Sequence, residues 1–168
     1  MSSTPQQPGT STDAARGPGV NFPPPLVFVA GFVVTWVLNQ RMEFLIDGKG
    51  ARPPQQGIGV AALAIGLGLA YWGMSTFWRA RTPVVPVKAA RLLVTSGPYR
   101  FTRNPMYVGL TIAYFGIALL LNWAWPLVLL PVVLVVMNTA VIEREERHLR
   151  AAFPGEYDRF CEKTRRWL

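Results

Sequence analysis

Two short clusters in this chain carry residue types that plain membrane anchoring does not need. The first is the run Gly97-Pro98-Tyr99-Arg100-Phe101-Thr102-Arg103-Asn104-Pro105-Met106-Tyr107-Val108-Gly109. It is polar and basic at its start and apolar at its end. Pro105 suits the first turn of a helix, where its missing N–H costs nothing. Asn104 then falls at the N-cap, where its side chain can satisfy an orphan amide. Helix initiation thus accounts for Asn104-Pro105, but not for Tyr99, Arg103 and Tyr107 around them. A helix N-terminus with an arginine beside it suits a carboxylate or another anionic group.

The second cluster is Glu143-Arg144-Glu145-Glu146-Arg147-His148-Leu149-Arg150. Read as a solvated helix, it offers two ion pairs in the favourable i,i+4 sense, Glu143 with Arg147 and Glu146 with Arg150. Glu145 has Leu149 at that spacing instead. Its stripe runs Asn138, Val141/Ile142, Glu145, Leu149, continuous with an apolar helix face. A carboxylate on such a stripe near a membrane needs a partner and is a functional candidate. His148, the single histidine, sits on the charged face and reads as solvated. Cys161 is the single cysteine, so neither an intrachain disulfide nor a thiolate metal site is expected.

These clusters lie between apolar segments that must position them. The 168 residues are 51% hydrophobic and 15% charged, whereas soluble domains carry about 25% charged residues. The apolar residues are grouped. Ile58 to Trp78, Met106 to Leu121 and Trp123 to Ile142 lack any charge, and Leu26 to Leu38 does too. A transmembrane helix needs about 20 such residues. An all-α integral membrane fold with four spans is expected, at 26–46, 57–78, 105–121 and 123–142. Asn122, beside Trp123, Trp125 and Pro126, marks a tight hairpin between the last two, because a single helix through both would overrun a bilayer.

The net charge of +8 could suggest nucleic acid, but its distribution points elsewhere. Arg79, Arg81, Lys88, Arg91, Arg100 and Arg103 lie between the second and third spans with no acid among them. Such juxtamembrane clusters mark the cytoplasmic side and attract anionic headgroups. The basic loop and the charged tail 143–168 are two spans apart, hence on one side, with both termini cytoplasmic and the inner membrane the expected location. In the tail, Phe153-Pro154-Gly155 should turn the chain before a short helix from Glu156 to Lys163. Tyr157, Phe160 and Cys161 there share a face that would pack on the membrane surface or on the first helix. Residues 1–25, rich in Ser, Pro, Gly and Gln, read as a disordered tail ahead of one domain over 26–168. A cleaved signal peptide is not expected, since the first apolar run starts late and lacks a basic region before it. Gly66 and Gly68, in the second span among small residues, suit close helix packing.

Leu92-Leu93-Val94-Thr95-Ser96-Gly97-Pro98-Tyr99, then Arg103-Asn104-Pro105-Met106-Tyr107-Val108-Gly109, then a hairpin, then Glu145-Glu146-x-x-Leu149-x-x-x-Phe153-x-Gly155-x-Tyr157, resembles the isoprenylcysteine carboxyl methyltransferase and phospholipid methyltransferase superfamily. The resemblance covers residues 91–168. It implies an integral-membrane enzyme that transfers the methyl group of S-adenosylmethionine to a lipid or small lipophilic acceptor; no metal is expected, because His148 has no second His and no Cys nearby. It also implies a cofactor pocket on the cytoplasmic side between the last two spans, closed by the tail. Leu93, Val94, Gly97, Tyr99, Asn104, Pro105 and Tyr107 would line that pocket. Glu145 and Glu146 would hold polar groups of the cofactor, and Glu145, Arg103 and Asn104 would be the residues nearest the chemistry.

Two departures bear on the acceptor. Isoprenylcysteine enzymes have His where this chain has Asn104, whereas phosphatidylethanolamine N-methyltransferases share its Asn-Pro-Met-Tyr. The carboxyl methyltransferases also have an Arg, for the substrate carboxylate, four residues before the cofactor glutamate. Here that position is Val141, which cannot pair with a carboxylate. Amine, thiol and phenol acceptors stay open alongside carboxylate. A non-catalytic lipid-binding scaffold and a small transporter are the competing classes. The transporter is disfavoured because no span has a charge at its centre.

Overall fold

The computed structural model describes residues 22–48, 50, 52–80 and 93–168. Most of the 1–25 tail and residues 81–92 of the basic loop lie outside the described residues. The described chain is helical without strands: α1 (Pro25–Arg41), α2 (Pro53–Arg79), a 3-10 turn (Gly97–Arg100), α3 (Pro105–Leu121), α4 (Trp125–Val136), a π-helical stretch (Met137–Ile142), α5 (Glu143–Ala152) and α6 (Glu156–Lys163). Proline opens each of α1 to α4 within the first two positions, where its fixed φ favours the helix.

Two helices are long and apolar enough to cross a membrane: α2, and the continuous 28-residue run Trp125–Ala152 that joins α4, the π stretch and α5. At about 1.5 Å per residue, that run exceeds a hydrocarbon core of about 30 Å. Its apolar part ends at Ile142, so α5 projects beyond the bilayer zone. The 17-residue α1 and α3 are apolar but shorter. The outward faces are apolar as well: Ile65 is 62% exposed, Val135 60% and Val33 53%. Soluble monomers rarely show such continuous apolar surface, whereas lipid-facing helices require it.

α2 and α3 pack antiparallel through glycines one heptad apart. A Cβ on Gly66 would lie 2.5 Å from the Gly109 carbonyl oxygen, and one on Gly116 would lie 2.7 Å from that of Gly59. Backbones can approach this closely only where side chains are missing. Gly68 meets nothing within 4 Å and has no part in the packing. α1 packs on α3 and α4, where the Phe32 and Tyr114 rings sit 4.1 Å apart and Phe28 joins the buried cluster with Val133 and Met137.

The expected first span, 26–46, is too long. α1 stops at Arg41 because the next residues pair with the α3–α4 hairpin. Ala124 N–H donates to the Phe44 carbonyl at 2.8 Å, and Ile46 N–H donates to the Asn122 carbonyl at 3.1 Å. Asn122 sits at φ 58°, the left-handed turn that ends α3. Its side chain donates to the Asp47 carbonyl at 2.7 Å and accepts from Asp47 N–H at 3.0 Å and Gln55 Nε2 at 3.0 Å. One asparagine therefore turns the hairpin and fastens the α1–α2 loop to it. α2 also starts earlier than expected, at Pro53.

Candidate functional site

At the other end, the chain brings its two chemical clusters together. The 3-10 turn rests on α2: Gly97 has φ 61°, and a Cβ there would lie 2.9 Å from Thr76 Oγ1. Glycine is required for both reasons. The turn buries Tyr99 edge-on against Phe77, with ring centroids 5.3 Å apart. Tyr107, in the first turn of α3, donates its hydroxyl to Glu145 Oε1 at 2.7 Å. Burial pushes the Glu145 carboxyl up to about 7, the Tyr107 hydrogen bond opposes this, and the neighbouring Glu146 adds to it. Tyr99 is 5% exposed, and its hydroxyl finds no partner among the described residues. Burial and the nearby Glu145 charge both raise its ionisation well above the ordinary tyrosine range. Two tyrosine hydroxyls and one carboxylate thus gather where α3 begins, and one hydroxyl lacks a partner.

Glu146 has a different setting. It is 4% exposed and accepts a two-pronged bond from Arg166, Nε to Oε1 at 3.0 Å and Nη2 to Oε2 at 2.7 Å. Arg103 Nη1 approaches Oε1 at 3.3 Å and Cys161 Sγ at 2.7 Å. Arg166 Nη1 also reaches Asn138 Oδ1 at 3.2 Å, and the Glu146 carboxylate holds its guanidinium charged. Bidentate carboxylate–guanidinium pairs of this kind fix orientation as well as charge. They hold residues 164–168 as a strap across the entry to α3. Arg103 N–H donates to the Arg165 carbonyl at 2.9 Å, and Thr102 Oγ1 donates to the Arg166 carbonyl at 3.2 Å.

Several expectations change. Asn104 occupies the N-cap position but makes no capping bond. Its Nδ2 donates to the Arg166 carbonyl at 2.9 Å, and Thr102 Oγ1 accepts its N–H at 3.2 Å. The returning strap outbids the cap because a buried carbonyl must be paired. Glu146 pairs with Arg103 and Arg166, not Arg150. Arg150 reaches Asp158 at 3.3 Å, and Arg147 Nε reaches the Glu143 carbonyl at 3.3 Å. The face of α6 meets Arg103 through Cys161. Val141 is fully buried in the apolar core. His148 is half-buried, and burial lowers its ionisation.

The described residues therefore divide the candidate site residues into two groups. Tyr99, Tyr107 and Glu145 converge. Arg103, Asn104 and Glu146 are joined through Arg166, which sequence reading missed. Gly97 and Pro105 set the backbone on either side of Tyr99 and Tyr107. Leu93 and Val94 are half-buried just before the turn. Among the described residues, no three His, Cys, Asp or Glu side chains gather as a metal site would require.

Two helical runs of bilayer length, the second carrying Glu145 just past its apolar part, describe a membrane protein. The model of the phospholipid methyltransferase family matches residues 55–156, which include Tyr99, Tyr107, Glu145 and Glu146. The chain belongs to that family, and hence to the methyltransferases. It is 35% identical over 72 residues to the cobalt-zinc-cadmium resistance protein CzcN of Cupriavidus metallidurans, covering 43% of this chain and 33% of that relative. The chain thus spans about a third of that relative's length. No solved structure matches the chain.

Proposed function

We propose that this protein transfers the methyl group of S-adenosylmethionine to a lipid or small lipophilic acceptor at the cytoplasmic face of the inner membrane. The observation that carries this reading is the Tyr107–Glu145 bond at 2.7 Å beside the buried Tyr99 hydroxyl, which has no partner among the described residues. A buried hydroxyl without a partner is rare and favours a ligand that supplies one. Glu145 and Tyr99 fit the polar groups of a cofactor that carries hydroxyl, ammonium and sulfonium groups. Leu93, Val94, Gly97 and Pro105 would border it through backbone and apolar surface. When bound, the cofactor would supply an electrophilic methyl carbon, with its sulfur as the leaving group.

The chain's own residues have four tasks in this reaction. Glu145 binds and places positive charge near the transfer point. Tyr107 fixes the rotamer of that carboxylate, and Tyr99 adds a hydroxyl donor. The Arg103–Glu146–Arg166 cluster keeps the strap closed over the entry to α3 and excludes water. Positioning of this kind can supply most of the acceleration of an in-line transfer. With Arg103 and Asn104 engaged in the strap, Glu145 is the group best suited to take a proton from the acceptor. Its ionisation near 7 suits a general base at neutral pH.

α1 and α3, with 17 residues each, would complete four spans if flanking side chains reach the interface. The Lys/Arg bias supports cytoplasmic termini. Incubation of the purified protein with methyl-labelled S-adenosylmethionine and a total membrane lipid extract tests the function. Mass spectrometry should find the label in a lipophilic product. A binding-competent protein that labels no component of the extract would contradict a lipophilic acceptor, and the absence of any cofactor affinity would favour a scaffold.

A further inference from the structure

In the sequence the basic residues before α3 form one run, but the fold divides them. Arg103 turns inward to Glu146 and Cys161. Arg100 stays exposed, as do Lys163 and Arg165 from the far end of the chain. Thr102 pairs with Arg165, and Arg103 N–H donates to the Arg165 carbonyl at 2.9 Å, which brings these cations to one edge. Among the described residues, Arg100, Lys163 and Arg165 make no ion pair. Exposed Glu162, the nearest acid in sequence, pairs with none of them. The same edge carries bare apolar side chains: Phe101 is 67% exposed, and Leu168 of the strap is 75% exposed. Free cations interleaved with exposed apolar groups fit a surface that is anionic above and apolar beneath.

The depth of this edge is set by α2. Gly97 lies against Thr76 and the Tyr99 ring against Phe77, so the turn sits beside the last turn of α2. There Tyr71 and Trp78 stand exposed, edge-on with ring centroids 6.2 Å apart, and Arg79 ends the helix. Exposed Tyr and Trp at the end of an apolar span mark the headgroup layer. The edge therefore lies within reach of lipid phosphates.

We propose that this edge docks on anionic phospholipid of the surrounding bilayer, and that the docking latches the strap. Lipid phosphates accept from Arg100, Lys163 and Arg165, while Phe101 enters the boundary of the acyl chains. Without an anion, the gathered cations repel one another and oppose the Thr102–Arg165 pairing. Headgroups cancel that repulsion, so residues 164–168 lie more firmly over the entry to α3. Membrane charge then governs access to Tyr99, Tyr107 and Glu145 without any lipid touching them. The strap lies beyond the residues that match the family model, which end at 156. Neither the docking nor the latch depends on the identity of the reaction.

The test places the full chain in nanodiscs of phosphatidylcholine alone or of phosphatidylcholine mixed with phosphatidylglycerol. Backbone amide exchange is followed by mass spectrometry resolved to single amides. The Arg103 amide reports the latch directly, because it donates to Arg165. Its exchange should slow about fivefold in the anionic discs, the effect of one basic residue near such a surface. The slowing should fade at high salt. Arg100→Gln combined with Arg165→Gln should remove the difference between the discs, and Phe101→Ser should reduce it. These changes touch exposed side chains only, and exchange within α2 and α3 checks that each variant stays folded. Arg41→Gln, at the opposite end of α1, should keep the full difference. Equal Arg103 exchange in both discs, or a difference that survives the double variant, would overturn the inference. Equal slowing by soluble polyphosphate over phosphatidylcholine discs would assign the edge to a soluble anion and overturn it too.

Discussion

Replacing Tyr107 with Phe removes one hydroxyl and leaves the ring packing intact. In the native protein that hydroxyl donates to Glu145 at 2.7 Å, and this bond opposes the burial that raises the carboxyl to about 7. A hydrogen bond to a charged group contributes about 1.5–3 kcal/mol, equivalent to about 1–2 pKa units. Tyr107→Phe should therefore move the Glu145 titration upward, to a midpoint above that of the native protein. The assay is calorimetric affinity for S-adenosylmethionine as a function of pH. Affinity should rise with pH through about 7 in wild type, as the carboxylate forms, and through the higher midpoint in Tyr107→Phe. Glu145→Gln supplies the baseline for the ligand's own ionisations. An identical midpoint in wild type and Tyr107→Phe, or a wild-type midpoint that survives in Glu145→Gln, would refute the reasoning. Stability follows the opposite sign without ligand. Burial raises the carboxyl from 4.5 to about 7, so its contribution is complete below 4.5 and is lost as pH rises through about 7.

Four structural predictions accompany it. Glu146→Ala removes the shared partner of the buried Arg103 and the partly exposed Arg166 and should cost about 1–3 kcal/mol, read as a lower thermal midpoint in detergent. Gly66→Val should force α2 from α3, because even its Cβ would lie 2.5 Å from backbone atoms, at about 1–3 kcal/mol or more. Gly68→Ala, facing open space, should instead stabilise α2 by about 0.5–1 kcal/mol. Asn122→Ala loses its bonds to Asp47 and Gln55 and strains a left-handed turn, for about 1–3 kcal/mol.

The parts of this fold legible in the sequence are those with local causes. Pro105 starts α3 as expected, Asn122 turns the hairpin, and Pro154-Gly155 separates α5 from α6 at the expected residues. The alignment of the charged tail with the basic loop followed from counting spans, and the Thr102–Arg165 pairing is consistent with it. What escaped depends on distant partners. Arg166 reaches Glu146 from 20 residues away, and Asn104 meets the strap across 62. No helical period reports such contacts. The i,i+4 pairing of Glu146 with Arg150 was a sound local choice overridden by a buried, two-armed alternative. Gly66 and Gly68 look alike in sequence, and only the face turned to α3 distinguishes them. Glu145 stood out because its stripe continues from Val141 and Ile142, both fully buried.

The most direct measurement is equilibrium binding of S-adenosylmethionine to the purified wild-type protein and to Glu145→Ala, with thermal unfolding run on both. Saturable binding by wild type, lost in a variant that still unfolds cooperatively, is the predicted result. Undiminished binding by the variant would contradict the assignment of Glu145, and no binding by folded wild type would contradict cofactor use itself.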